Sequence, residues 1–198
     1  MEENVFETMA RKYDSSERIE LANIIATKIS EELTQAKDKT LIDYGSGTGL
    51  VGLQMADYVK NAILIDSSST MVEIINEKVT ENNISNVQTI VADLTKDTID
   101  VKADIIIVSL VLLHIPDTKL ILEKLYATLH ADGQLIIVDF DKNPAISHPK
   151  VHNGFVASEL EALLTDVGFQ SASIQLFHSG KKLFMKQDAT LFIAVSQK

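Results

Sequence analysis

The chemistry open to this chain is carried by a few residues at the ends of its apolar runs. Gly45-Ser46-Gly47-Thr48-Gly49 follows the apolar pair Leu41-Ile42 and the acid Asp43, with glycine at every second position. A glycine has no Cβ, so a backbone rich in it turns sharply and lets a ligand approach closely. Asp66 and Ser67 follow the apolar run 62–65, and Asp93-Leu94 follows the run 87–91. A carboxylate accepts two hydroxyl hydrogen bonds, which suits a ribose diol, and accepts equally from an amino group such as that of adenine. Ser109 ends a further run, 104–108. His114 lies just past it, and His152 lies in a segment rich in proline and histidine. Either imidazole could act as a general base, worth about 10²–10⁴ in rate where a nucleophile must lose a proton.

A regular alternation of elements sets these ends. Residues 40–44 read as a first strand, and Leu50, Leu53, Met55, Ala56 and Val59 predict a helix over 50–59. Its first amides and positive dipole end would add donors for a ligand. Residues 62–66 are a second strand, and Thr70 with Glu73 is spaced as a capping box for a helix whose apolar face is Met71, Ile74, Ile75 and Val79. Further strands are expected at 87–91, 104–109 and 135–140. Pro116 stops the fourth, Asp117 can cap a helix bearing Leu120, Ile121, Leu125 and Leu129, and Asp132-Gly133 reads as a turn. Ser158 and Glu161 suggest a second capping box, and Gly168 a helix stop. Two final strands, 171–177 and 190–196, flank a turn with Lys181, Lys182 and Lys186. Ahead of all this, residues 1–14 read as an arm with apolar Val5, Phe6 and Met9, and Ser16 opens a helix with Ile19, Ala22, Ile25, Ala26, Ile29 and Leu33 on one face.

Near-continuous apolar strands alternating with helices predict a parallel sheet covered on both faces. The last two strands are joined without a helix, which predicts an antiparallel hairpin. In open parallel sheets ligands sit beyond the carboxyl ends of the strands, where the strand order reverses. The chemically equipped residues fall at those ends.

Composition narrows the partners. A chain of 198 residues is expected to form a single domain, 1–198, with residues 1–35 as an arm and helix that serve as a lid. The formal charge of −10 argues against nucleic acid and anionic membranes. There is no cysteine, so thiolate metal sites and cysteine nucleophiles are excluded. Met1-Glu2-Glu3-Asn4 does not read as a signal peptide, and no apolar run approaches the ~20 residues of a membrane helix. A cytoplasmic protein is the expectation. No paired carboxylates or Asp-Asn pair lies beyond the fifth strand to hold a metal.

The pattern acidic-x-Gly-x-Gly-x-Gly at Asp43 to Gly49, the stretch Leu129-His130-Ala131-Asp132-Gly133-Gln134-Leu135, Gly168-Phe169 and the terminal hairpin together resemble class I S-adenosylmethionine (AdoMet) methyltransferases. The resemblance covers the chain from about residue 35 on, and the arm with Ala10 and Tyr13-Asp14 is similar to the family's entry segment. It implies an α/β fold: a seven-stranded, mostly parallel, doubly wound sheet of order 3-2-1-4-5-7-6, its last strand antiparallel, with helices on both faces. It implies AdoMet as cofactor, S-adenosyl-L-homocysteine as product, and metal-independent in-line methyl transfer to a small-molecule acceptor.

Residue by residue, the resemblance implies that Asp43, Gly45, Ser46, Gly47, Thr48 and Gly49 face the amino-acid end and ribose of the cofactor. Asp66 and Ser67 would hold the ribose diol, Asp93 and Leu94 the adenine, Met71 would pack on the adenine face, and Ser109 would lie under the sulfonium. His152, in His152-Asn153-Gly154-Phe155, matches a segment that in some small-molecule methyltransferases lies over the active site; with His114 it is a candidate base. Tyr13 and Arg18 are candidate contacts to the cofactor carboxylate or the substrate, and Phe140 is a candidate contact to the substrate. Plainer readings stand beside these. Asp66 could cap a helix, Asp93 could shape a turn, Met71 could be core, His114 could be structural, and Arg18 could pair with Glu17 or Glu20.

Two rival functions remain. Gly47-Thr48-Gly49-Leu50-Val51-Gly52 also satisfies Gly-x-Gly-x-x-Gly, the fingerprint of an NAD(P)-dependent oxidoreductase. The terminal hairpin and the absence of a Tyr-x-x-x-Lys pair count against it. A non-catalytic AdoMet-binding module is the other. Neither the acceptor atom nor the oligomeric state is legible.

Overall fold

The computed structural model describes residues 13–149 and 151–198. Its strands are β1 (Thr40–Tyr44), β2 (Asn61–Asp66), β3 (Val87–Val91), β4 (Ala103–Ser109), β5 (Leu129–Phe140), β6 (Gln170–Phe184) and β7 (Gln187–Gln197). They form one seven-stranded sheet in the order β3-β2-β1-β4-β5-β7-β6, as expected. β2 runs parallel to β1 and β3, and β7 runs antiparallel to β5 and β6. By internal contacts the chain divides into two compact units, Met1–Ala103 and Asp104–Lys198. The arm expected at 1–12 lies outside the described residues.

In the first unit, helix α1 (Ser16–Ser30) is capped by Ser15, whose side chain accepts from the Arg18 amide. Ala22, Ile25, Ala26 and Ile29 are buried, as their spacing predicts, but Ile19 is 40% exposed and lies off that face. β1 and β2 bury Leu41, Ile42, Leu64 and Ile65 completely, the pattern of a strand covered on both sides. The helix expected over 50–59 is shorter. Only α2 (Gly52–Met55) is α-helical, followed by a 3-10 turn, Ala56–Tyr58. Gly49 turns the chain at φ +80°, and Gly52 is a poor helix former, so the helix is one turn long. Helix α3 (Ser69–Glu81) is capped by the buried Ser68, whose Oγ accepts from the Met71 amide, and not by the Thr70–Glu73 box. Ser68 has the extended backbone that a capping residue needs.

In the second unit, β4 passes into a left-handed Leu110 (φ +55°) and a 3-10 turn, Leu112–His114. Asp117 caps α4 (Thr118–Thr128) by accepting from the Leu120 amide. The Asp132-Gly133 turn becomes an irregularity inside a longer β5, with Asp132 at φ +60°. Helix α5 (Ala157–Val167) starts one residue before Ser158 and has no side-chain cap, so the second capping box does not form. Gly168, at φ +115°, stops it as expected. β6 and β7 are much longer than 171–177 and 190–196. Phe184 pairs with Gln187 across the two-residue turn Met185-Lys186, at φ +50° and +64°. Lys181 and Lys182 therefore lie within β6, and Lys186 alone of the three lies in the turn.

Candidate functional site

The glycine stretch leaves β1 and folds back on β2. The amides of Gly45 and Ser46 both donate to the Ile65 carbonyl, at 2.8 and 3.0 Å. The Gly47 amide donates to Asp66 Oδ2 at 2.8 Å, and the Gly49 amide to the Ser46 carbonyl at 2.9 Å. Gly45, Gly47 and Gly49 all have positive φ, at 73°, 54° and 80°, a conformation that admits few other residues. Much of the loop's donor capacity is thus turned toward β2 and into the loop itself, not presented by a long helix. The other oxygen of Asp66 accepts from the Ser68 amide at 2.9 Å. Asp66 thus ends β2 beside the glycine loop and braces the entry to α3, whose cap is Ser68. Ser67 is exposed beside it.

Asp43 is 1% exposed, and its carboxylate is approached by the Gly52 amide without a well-formed hydrogen bond to either oxygen; the buried Ser46 Oγ is unpartnered. Burial first, then the nearby Asp66 carboxylate, push the Asp43 pKa from 3.8 up to about 7, against a smaller opposing pull from the Gly52 amide. Gly52 makes room for this group. A Cβ there would stand 2.4 Å from Asp43 Oδ2 and 3.0 Å from Leu64 Cγ. The last glycine of the apparent Gly-x-Gly-x-x-Gly fingerprint thus answers a carboxylate of the protein.

A second layer lies on the loop. A Cβ on Gly47 would meet the Tyr13 ring at 3.8 Å, so Tyr13 covers that glycine. Asp14 accepts from the Thr48 hydroxyl and pairs with Lys78 at 2.7 Å, and Lys78 also donates to the Thr48 carbonyl at 2.8 Å. Arg18 donates to the Tyr13 carbonyl and stacks 4.0 Å over its ring, in place of a pairing with Glu17 or Glu20. Burial, then the charges of Asp66 and Asp14, raise the Tyr13 pKa, and Arg18 opposes them. Lys78 carried no local signal, because its partners lie 64 and 30 residues away.

Asp93 follows β3 and shapes a turn. Its side chain accepts from the Thr95 amide and hydroxyl and pairs with Lys96 at 2.6 Å. These bonds hold its carboxyl below the usual range, although desolvation pulls upward. Met71 and Leu94 are buried, at 1% and 2% exposure. Tyr44, which the sequence reading passed over, is buried near Asp93, and burial with that charge raises its pKa.

In the second unit, Ser109 ends β4 partly exposed. His114 is exposed on the 3-10 turn, yet desolvation on its packed side, and then His148, hold its pKa below normal. The His152 amide donates to the Leu113 carbonyl at 2.8 Å, and its Nε2 lies 3.0 Å from the Ile115 carbonyl. A carbonyl only accepts, so Nε2 carries a proton, and in the neutral ring Nδ1 holds the lone pair. Leu113, His114, Pro116, Pro149, Val151 and His152 line a cavity of about 220 Å³. The structure thus brings the two candidate bases to one wall. Phe140 is buried and stacks face to face on Phe184, with centroids 4.3 Å apart, so its ring belongs to the core.

Residues 35–187 match the family model of a methyltransferase domain. The chain belongs to this family. Among relatives of this chain, an uncharacterized methyltransferase of Schizosaccharomyces pombe is 28% identical over 60% of this chain and 44% of its own length. (S)-tetrahydroprotoberberine N-methyltransferase of Eschscholzia californica is 26% identical over 89% of this chain and 50% of its own length. The chain thus spans about half the length of these curated relatives. A SAM-dependent methyltransferase from Aquifex aeolicus has the same fold, with a TM-score of 0.72 at 20% identity over 96% of this chain and 97% of that one. AdoMet is the cofactor of this family. The first unit suits such a ligand: the buried oxygens of Asp43 and Ser46 lack well-formed hydrogen bonds within the protein, and they lie at the start of a loop turned by three positive-φ glycines.

Proposed function

We propose that this methyltransferase binds AdoMet on the loop 43–49 and transfers its methyl group, without a metal, to a small-molecule acceptor. The observation that carries the reading is Asp43: a buried carboxylate without a well-formed hydrogen bond in the protein, opening a loop of three positive-φ glycines. In this reading Asp43, Gly45, Ser46, Gly47, Thr48 and Gly49 hold the amino-acid end and ribose, with Asp66 and Ser67 at the diol. Asp93 and Leu94 lie at the adenine, and Met71 forms its wall from the core. Tyr13, Asp14 and Arg18, laid over Gly47 and Thr48, close the loop as part of a lid. The family match from 35 to 187 runs through both units, which supports one catalytic domain.

When bound, AdoMet supplies a methyl group activated by its sulfonium for in-line attack. The chain's part is alignment, which can contribute several kcal/mol by holding reactants about 3 Å apart. In the second unit the candidate groups are Ser109, at the end of β4, and the wall carrying the two histidines. There His114, held neutral near pH 7 by its lowered pKa, accepts a proton, or His152 does so at Nδ1. The relative named an N-methyltransferase makes amines the first acceptors to test. The formal charge of −10 supports a partner that is neither nucleic acid nor membrane, and the site of action in this reading is cytoplasmic. No helix among the described residues is long and apolar enough to cross a membrane.

Calorimetric titration with AdoMet, S-adenosylhomocysteine and NAD, on wild type and Asp66→Ala, tests this. The expected result is binding of the two adenosyl-sulfur ligands, lost in the variant, and no binding of NAD. NAD binding, or adenosyl-sulfur binding that survives Asp66→Ala unchanged, refutes the assignment of the loop.

A further inference from the structure

We propose that Asp139 is a positioning residue for the acceptor side of the site: from the end of β5 its carboxylate fixes the segment after β4 and, through that segment, the ring of His152. The inference rests on the methyltransferase reading above. Asp139 is fully buried. Its Oδ2 accepts from the Leu113 amide at 3.2 Å and its Oδ1 from the Phe140 amide at 2.8 Å. The Leu112 amide adds to the hydrogen bonding that favours its charged form.

The segment it holds needs holding. The chain leaves β4 through Leu110 at φ +55°, a left-handed conformation that is unfavourable for a residue bearing a side chain. The Leu110 amide is tied to the Val138 carbonyl at 2.8 Å, one residue before Asp139. Beyond it, the same Leu113 peptide that donates to Asp139 presents its neighbouring carbonyl to the His152 amide. Two residues on, the Ile115 carbonyl takes the His152 Nε2 proton. Asp139, the peptides of 112–115 and His152 form one continuous chain of hydrogen bonds.

The consequence is chemical. A carbonyl at Nε2 commits the His152 proton to that nitrogen and leaves Nδ1 as the acceptor. Displacing Leu113 and Ile115 would release that commitment and move His114, which sits between them on the same turn. Hydrogen bonds to a charged acceptor are stronger than those to a neutral one, so a carboxylate holds this turn more firmly than an amide of the same shape. Nothing else in the described fold requires an acid inside β5: Leu135, Ile136, Ile137 and Val138 precede it as ordinary core.

The test uses the full chain labelled with nitrogen-15, wild type and Asp139→Asn. Long-range nitrogen–proton spectra of the imidazole rings report the His152 tautomer, and hydrogen exchange reports the Leu113 amide. In wild type the Nε2–H tautomer is expected. In Asp139→Asn the ring is expected to become a mixture of tautomers, with Leu113 exchange faster by about tenfold or more. AdoMet affinity, carried by the other unit, is expected to stay within about threefold. An unchanged tautomer and unchanged exchange overturn the proposal. Should the variant fail to fold, wild type decides by itself: slow exchange at the Leu113 amide together with an Nε2–H tautomer at His152 is expected, and an Nδ1–H tautomer or a freely exchanging Leu113 amide overturns the proposal. These readouts need no cofactor, so loss of AdoMet binding in wild type would refute the proposed function and leave this inference standing or falling by itself.

Discussion

Replacing Asp43 with asparagine should change how stability depends on pH. The folded chain raises the Asp43 pKa from 3.8 to about 7, chiefly by burial. Between those values the folded state holds a proton that the unfolded chain has released, so stability falls as pH rises. Integrating between about pH 5 and pH 8 with these two values gives a loss of about 2.5 kcal/mol from this group, as an upper figure. Asparagine keeps the shape and removes the titration. Asp139, also raised to about 7 by burial, contributes to both proteins and cancels in the comparison. The assay is urea unfolding of the ligand-free wild type and Asp43→Asn at both pH values, compared as a double difference. The expected result is that wild type loses about 1–2.5 kcal/mol more than the variant on going to the higher pH. If the two lose the same amount within about 0.5 kcal/mol, Asp43 is ionised in the fold throughout, and its burial has been compensated by something the geometry does not contain.

Further substitutions probe the neighbouring contacts. Gly52→Ala would place a Cβ 2.4 Å from Asp43 Oδ2, and thermal unfolding should show a loss of about 1–3 kcal/mol. Lys78→Met removes a partly exposed pair to Asp14, so stability should fall by about 1 kcal/mol or less, while AdoMet affinity measured by calorimetry weakens as Thr48 loses its clasp. Met185→Asn with Lys186→Gly places preferred residues in a two-residue turn that now holds two left-handed side chains; urea unfolding should show a gain of about 1–2 kcal/mol.

The strand order was legible because each parallel strand is a short apolar run ended by a polar residue, and the absence of a helix between the last two strands marked the hairpin. The hairpin's extent was hidden. Its tip is Met185-Lys186, and neither residue advertises a left-handed turn as Asn-Gly would, so the strands were placed too short. The helix after the glycines was overdrawn because Leu53, Met55 and Ala56 carry a helical apolar spacing that a one-turn helix and a 3-10 turn also satisfy. At the site, residue types at strand ends named Asp43, Asp66 and the glycines. They could not name Lys78, whose bond to Thr48 spans 30 residues, or show that Arg18 would turn to Tyr13. Phe140 was a candidate substrate contact; its stacking partner, Phe184, comes from β6, beyond where that strand was expected to end.

The fit between Asp43 and Gly52 has a consequence for divergence within the family. Two positions nine residues apart share one small volume, so neither is at liberty to drift alone. An alanine at 52 is tolerable only in a lineage that has first shortened or neutralised the group at 43, and a carboxylate regained at 43 would have to wait for glycine to return. Substitution at this corner of the loop is therefore ordered in time. In an alignment, the order should appear as glycine at 52 wherever 43 is acidic, with larger residues confined to chains that carry no acid there.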